Sequence, residues 1–348
     1  FKQKTAYEIP LRLVGSEMCI RDRFKGAHMN VRNISLVGVI FAFVVIALGA
    51  WTRLVDAGLG CPDWPGCYGF VFFPTNEAEI AIAESRYPLF PYEIDKVIPE
   101  VVHRYFAAAL GLLAIFLVFV ALKENDKKNK FISCFLLFFI CCQGIFGYLT
   151  VSLKLLPIIV TGHLFGGFIT LSLFFYLFIR NTDFLDNFHF KNAKFISIAA
   201  LTVLAVQIFL GVWTSTNYAS LACIDFPQCK ASYWPEMDFR SGFNLFQEVG
   251  PNYLYGLLDN NARVAIHFTH RIWAILVIIV FFILITRLWF SKIAPLASTV
   301  GVVLLTQISL GIMNVVYTLP LYVAIAHNLV AAMLLLVTLT VSMLAWKK

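Results

Sequence analysis

The chain has 348 residues, 60% of them hydrophobic, 16% aromatic and only 14% charged, with a mean hydropathy of +0.80 and a formal net charge of +7. So few polar side chains cannot cover a water-facing surface of this size, which excludes a soluble globular fold and predicts a membrane protein. Most of the positive charge decorates the edges of apolar runs, so the basic face that nucleic-acid binding needs is missing.

In chain order, residues 1–28 come first, "FKQKTAYEIPLRLVGSEMCIRDRFKGAH", beginning without Met and with neither a signal-peptide apolar region nor an amphipathic transit pattern. They are expected to be a non-native-looking or disordered tail, a tag or a mistranslated flank, with Met29 the more natural start. Apolar runs follow near 34–54, 101–122, 131–153, 158–179, 195–214, 264–286, 294–316 and 321–346. Each is long enough to cross a bilayer as a helix, which takes roughly 20 residues. Eight transmembrane helices are expected.

Their direction follows from Lys and Arg, which keep short loops on the cytoplasmic side. "KENDKKNK" lies between the second and third spans, Arg180, Lys191 and Lys194 between the fourth and fifth, Arg287 and Lys292 between the sixth and seventh, and Lys347 and Lys348 end the chain. Both termini are therefore expected inside, and the connections after the first and fifth spans outside.

Those two outer connections resemble each other. "GLGCPDWPGCYG", residues 58–69, and "SLACIDFPQCKA", residues 220–231, share one C-x5-C spacing. The likeness extends along the chain. "GAWTRL" pairs with "GVWTST", setting Trp51 opposite Trp213, Cys61 opposite Cys223 and Cys67 opposite Cys229. "VVHRYFAAALGLLAIF" pairs with "FTHRIWAILVIIVFF", matching His103-Arg104 to His270-Arg271, and "TGHLFGGFITLSLF" with "IAHNLVAAMLLLV" matches His163 to His327. An even number of spans per repeat makes the copies parallel. The fold class expected is an all-α polytopic membrane protein of two pseudo-symmetric four-helix bundles, residues 29–190 and 191–348.

Cys61 with Cys67, and Cys223 with Cys229, are plausible structural disulfides in an exported loop stiffened by Pro62, Pro65 and Pro227; pairs of metal-binding or redox thiols are the alternative. Cys134, Cys141 and Cys142 fall within the third span and read as small apolar fillers, and Cys19 belongs to the tail.

Of the seven histidines, His28 and His189 read as solvated surface. His103, His163, His270 and His327 each fall early in a span running from outside to inside, hence at one depth. One histidine there is an ordinary interfacial group. Two facing imidazoles in an apolar slot are what six-coordinate haem iron requires, because axial ligands approach a flat macrocycle from opposite faces. A compact zinc or copper site would need further donors that neither half supplies nearby.

His267 lies one turn before His270, in the place that Glu100 takes before His103. Glu100 reads either as a proton relay or general base or as an interfacial acid favoured by the helix dipole. Arg104 and Arg271 suit bidentate pairing with haem propionates, or snorkelling to headgroups. Gln143, Gln207 and Gln307, each followed four residues later by Gly, read as helix-contact positions.

The order of "GCPDWPGCYG", "EVVHRYFAAALG", "QGIFGYLTV", "TGHLFGG", "VQIFLGVWTS", "CIDFPQC", "HR" and "AHNLVAA" resembles the haem A synthase family, from about residue 34 to the C-terminus. The resemblance implies an oxidoreductase that converts haem O to haem A, oxidising the C8 methyl to a formyl group by successive hydroxylations. It implies a haem B (iron) cofactor on His270 and His327, haem O as substrate at His103 and His163, Glu100 as the functionally important acid, and loop disulfides Cys61–Cys67 and Cys223–Cys229. Membrane lipid, haem O synthase (a farnesyltransferase) and the terminal-oxidase assembly apparatus are the partners it implies. A bacterial cytoplasmic membrane is expected in preference to the mitochondrial inner membrane, with the cysteine loops on the outer face. His267 departs from the family pattern. The rival reading is a non-catalytic di-haem b-type cytochrome taking electrons from quinol, which Glu100 distinguishes; a transporter with midplane sites fits less well, because the ionisable groups cluster near one face.

Overall fold

The computed structural model describes residues 30–188, 190 and 193–347. The tail 1–28, with Cys19 and His28, together with Met29, His189, Lys191, Asn192 and Lys348, lies outside the described residues. Among the described residues eight helices are long and apolar enough to cross a membrane: α1 Val31–Leu54, α2 Ile94–Lys123, α3 Lys127–Ser152, α4 Pro157–Arg180, α5 Lys194–Thr216, α6 Asn260–Phe290, α7 Ala294–Val316 and α8 Leu321–Trp346. The protein is an integral, multi-pass membrane protein. Among the described residues there is no strand, only isolated bridges pairing Cys67 with Phe70 and Cys229 with Ser232.

The helix ends follow local chemistry. Asn30 caps α1 by accepting from the Asn33 N–H at 3.0 Å, and Asp126 caps α3 by accepting from Lys128 and Asn129. Pro157 starts α4 at a position where its missing N–H is not needed. The largest departure from the expected spans is at α2, which begins at Ile94 and runs through Asp95, Lys96, Pro99 and Glu100 before the apolar stretch. Hydropathy marks the part of a helix that lipid can surround; backbone hydrogen bonding continues beyond it. The N-terminal extension carries Glu100 to the level of the cysteine loop, where it accepts from the Cys61 N–H.

α1 packs on α2, α2 on α3, α3 on α4 and α4 back on α1. Likewise α5 packs on α6, α6 on α7, α7 on α8 and α8 back on α5. Contacts of α4 with α5, and of α8 with α1 and α4, join these two closed rings. One apolar core runs through both, including Leu117, Leu136, Leu171 and Phe174 from the first ring and Leu204, Phe281, Val300 and Val341 from the second. Apolar faces of this kind make each ring a slot lined by helix sides, which is where a bundle builds its sites.

Candidate functional site

Each of the four matched histidines lies against a glycine of the preceding spanning helix. A Cβ on Gly49 of α1 would stand 2.9 Å from Cε1 of His103, one on Gly147 of α3 3.5 Å from Cε1 of His163, and one on Gly211 of α5 or Gly311 of α7 3.1 Å from Cε1 of His270 or His327. Small residues let a ring occupy the space a side chain would otherwise fill. Gly147, Gly211 and Gly311 are the glycines of the three Gln-x3-Gly stretches, so that spacing carries more than helix contact.

The rings of His103 on α2 and His163 on α4 face each other across the first slot, with centroids 6.4 Å apart and planes at 86°. In the second ring the amide nitrogen of Gln207 lies 3.2 Å from Nδ1 of His270, and that of Gln307 lies 3.2 Å from Nε2 of His327. Both glutamines therefore belong to the histidine surroundings, an arrangement the sequence pattern did not disclose, because it depends on which helix faces which.

All four histidines are half-buried, and Nδ1 of His103, His163 and His327 is enclosed without a hydrogen-bond partner. Enclosed, unpartnered imidazole nitrogens call for a ligand. Two metal–nitrogen bonds of about 2 Å each, plus the distance from each nitrogen to its ring centre, make roughly 6 Å, so the first pair is spaced to grip one ion from opposite sides. Among the described residues no group of three or more His, Cys, Asp or Glu is placed to hold a metal ion. A donor set of two imidazoles leaves the remaining coordination positions to a macrocycle, and haem iron fits the residues present.

Above each pair sits a disulfide loop, Cys61–Cys67 or Cys223–Cys229. The Asp63 carboxylate accepts from the N–H groups of Tyr68 and Gly69 at 2.6 and 2.7 Å, and Asp225 accepts from Lys230 and Ala231 at 2.7 Å each. Asp225 lies outside the spans, and these backbone donors hold its carboxyl below the usual range. Burial pushes the Tyr68 phenol, whose hydroxyl donates to the Pro91 carbonyl at 2.9 Å, up to about 12.

The arginines beside the histidines reach into these loops. Arg104 donates to the carbonyls of Asp63 and Gly66 at 2.9 and 2.6 Å and pairs with Glu100 at 2.5 Å. Arg271 donates to the carbonyls of Asp225, Gln228 and Cys223 at 2.9, 2.9 and 2.7 Å and to Nε2 of His267 at 3.2 Å. Most of their donors thus fasten loop to helix. Glu100 is buried and takes a second bond, from the Cys61 N–H at 2.9 Å. His267, buried, occupies the corresponding place as an acceptor for Arg271. Cys134, Cys141 and Cys142 are free thiols on α3, away from either loop in sequence, and the first two are exposed on the helix.

Fold and site together define a polytopic helical membrane protein with two histidine pairs, each beneath a disulfide loop. Residues 32–339 match the family model described as cytochrome oxidase assembly protein (COX15-CtaA), and the chain belongs to that family. It is 40% identical over 324 residues to a protein of Shewanella oneidensis named "Heme A synthase", covering 92% of this chain and 98% of that one. It is 28% identical over 332 residues to a "Heme A synthase" of Rickettsia felis, covering 86% of this chain and 93% of the relative, and 27% identical over 344 residues to one of Rickettsia bellii, covering 89% and 96%.

Proposed function

We infer that this chain is an oxidoreductase that converts haem O to haem A, taking the C8 methyl to a formyl group by successive hydroxylations. Similarity to proteins named "Heme A synthase" along nearly their whole length supports the activity. The observation that carries the site is the facing pair His103 and His163, with ring centres 6.4 Å apart. In this reading residues 29–190 receive the substrate haem on His103 and His163, and residues 191–348 hold haem B on His270 and His327. The repeated order of cysteine loop, His-Arg and second histidine supports a duplicated four-helix unit.

A bound haem supplies the one-electron and oxygen chemistry that an unactivated methyl demands and that side chains lack. The protein's part is placement. Gly49, Gly147, Gly211 and Gly311 keep room for the four imidazoles, and Gln207 and Gln307 bear on the rings of the second pair. Arg104 and Arg271 place a guanidinium beside each pair, a group suited to propionate carboxylates, while their hydrogen bonds fix the loop overhead. Glu100, one turn before His103, receives Cys61 N–H on one oxygen and Arg104 on the other. Such fixed bonds orient the carboxylate for proton handling at the first pair. Lysines and arginines gathered at the opposite helix ends support cysteine loops on the outer face, similarity to bacterial proteins supports a bacterial cytoplasmic membrane, and haem O as substrate makes haem O synthase and the terminal-oxidase assembly apparatus its partners in this reading.

The test is extraction of haems from protein purified from hosts with and without haem O synthase. Haem B alone in its absence, and haem A appearing in its presence, is the expected result. Haem O that remains unchanged with an electron source present would indicate an electron-transfer cytochrome instead. His270→Ala or His327→Ala is expected to abolish the low-spin haem spectrum.

A further inference from the structure

The collars around the two histidine pairs differ in charge. On α2, Glu100 sits four residues before Arg104 and meets it as an ion pair at 2.5 Å, both side chains shielded, with exposures of 6% and 13%. On α6 the matching residue is His267, and its Nε2 accepts from Nε of Arg271 at 3.2 Å. An imidazole that accepts at Nε2 bears its proton on Nδ1 and is neutral. The arginines are otherwise used alike, Arg104 on the carbonyls of Asp63 and Gly66 and Arg271 on those of Asp225 and Gln228. Both loop aspartates bond backbone N–H groups of their own loop, and Asp225 attracts Arg271 from there without bonding to it. Among the described residues Arg271 makes no ion pair.

We propose that His267 is a positioning residue that holds Arg271 in place without neutralising it, so that His270 stands beside a cation with no carboxylate bonded to it, while the cation beside His103 is ion-paired with Glu100. Reduction potentials of bound iron respond to local net charge, and a nearby cation favours the reduced state. The second pair therefore holds its haem at a higher potential than this surrounding would give with a carboxylate at residue 267. The two otherwise similar slots thereby become electronically unequal, and the asymmetry resides in one residue of each collar. This rests on the reading that His270 and His327 bind haem.

Optical redox titration of the purified, haem-loaded protein tests it. His267→Glu restores the ion pair and is expected to lower the midpoint of the low-spin haem by about tenfold in the reduction equilibrium, about 59 mV for one electron. His267→Gln keeps a neutral acceptor for Arg271 and is expected to leave the midpoint where it was. Equal midpoints for the two variants would overturn the proposal. Should His267→Glu not retain haem, Glu100→Gln in protein loaded at both sites makes the reverse test: the first-site midpoint must rise, and an unmoved value overturns the proposal. Wild-type protein that carries no haem on the second pair defeats the site reading itself, and is told apart from a haem that is bound but indifferent to charge.

Discussion

The Tyr218 hydroxyl donates a hydrogen bond to Asp56 at 2.9 Å, and the two residues are 162 positions apart, the offset that sets Trp51 opposite Trp213 and Cys61 opposite Cys223. Arg53 likewise donates to the carbonyl of Ser215 at the same offset, and its guanidinium lies 3.9 Å from the centre of the Tyr218 ring. These contacts join the C-terminal ends of α1 and α5.

Tyr218→Phe deletes the bond to Asp56 but keeps the ring beneath Arg53. Loss of one partly buried hydrogen bond to a carboxylate is expected to lower stability by about 1–2 kcal/mol. A thermal melt of the detergent-solubilised protein measures it; an unchanged midpoint would mean that this contact between the halves contributes nothing.

Glu100 is both the counter-charge of Arg104 and an anchor for the Cys61 N–H. Glu100→Ala leaves a shielded guanidinium without its partner, a change that typically costs about 3–5 kcal/mol. Glu100→Gln retains an acceptor and should cost less. Comparing both variants in thermal melts and in haem conversion separates anchoring from proton handling: conversion lost in the well-folded Gln variant requires the carboxylate itself.

Glycine-to-alanine changes discriminate the ring-bearing positions from ordinary helix positions. Gly49→Ala places a methyl 2.9 Å from Cε1 of His103, whereas Gly144, also in a spanning helix, has nothing within 4 Å of an added Cβ. Gly49→Ala is expected to displace the imidazole and reduce haem occupancy at the first pair severalfold. Gly144→Ala should leave occupancy unchanged and stabilise α3 slightly, by up to about 1 kcal/mol on helix propensity. Pigment-to-protein ratios after purification check both.

The Tyr68 phenol gives an alkaline signature. Its folded value of about 12 exceeds the ordinary 10.0, chiefly because burial disfavours the phenolate. The raised value means that its contribution to stability is complete below pH 10, and declines as pH rises from there through about 12. Tyr68→Phe is expected to flatten the fall in stability over that window. Melts between pH 9 and pH 12 would show it, and parallel slopes for the two proteins would exclude Tyr68 as the source.

By itself the sequence determined the eight spans and the twin cysteine loops, because these depend on hydropathy along one helix or spacing within one short loop. Periodic patterns report what a single element shows to its surroundings. Which side chain meets which across elements was decided only by tertiary packing. Arg104 and Arg271, equally able by spacing to reach a headgroup, turn to loop carbonyls, since the disulfide loop folds back over the helix and presents buried oxygens that need donors. Gln207 and Gln307 meet imidazoles because α5 packs on α6 and α7 on α8. His267, puzzling as an isolated letter beside His270, is explained once Arg271 is seen to lean on it: a half-buried guanidinium needs acceptors for all its donors, and His267 takes the Nε that the loop carbonyls leave.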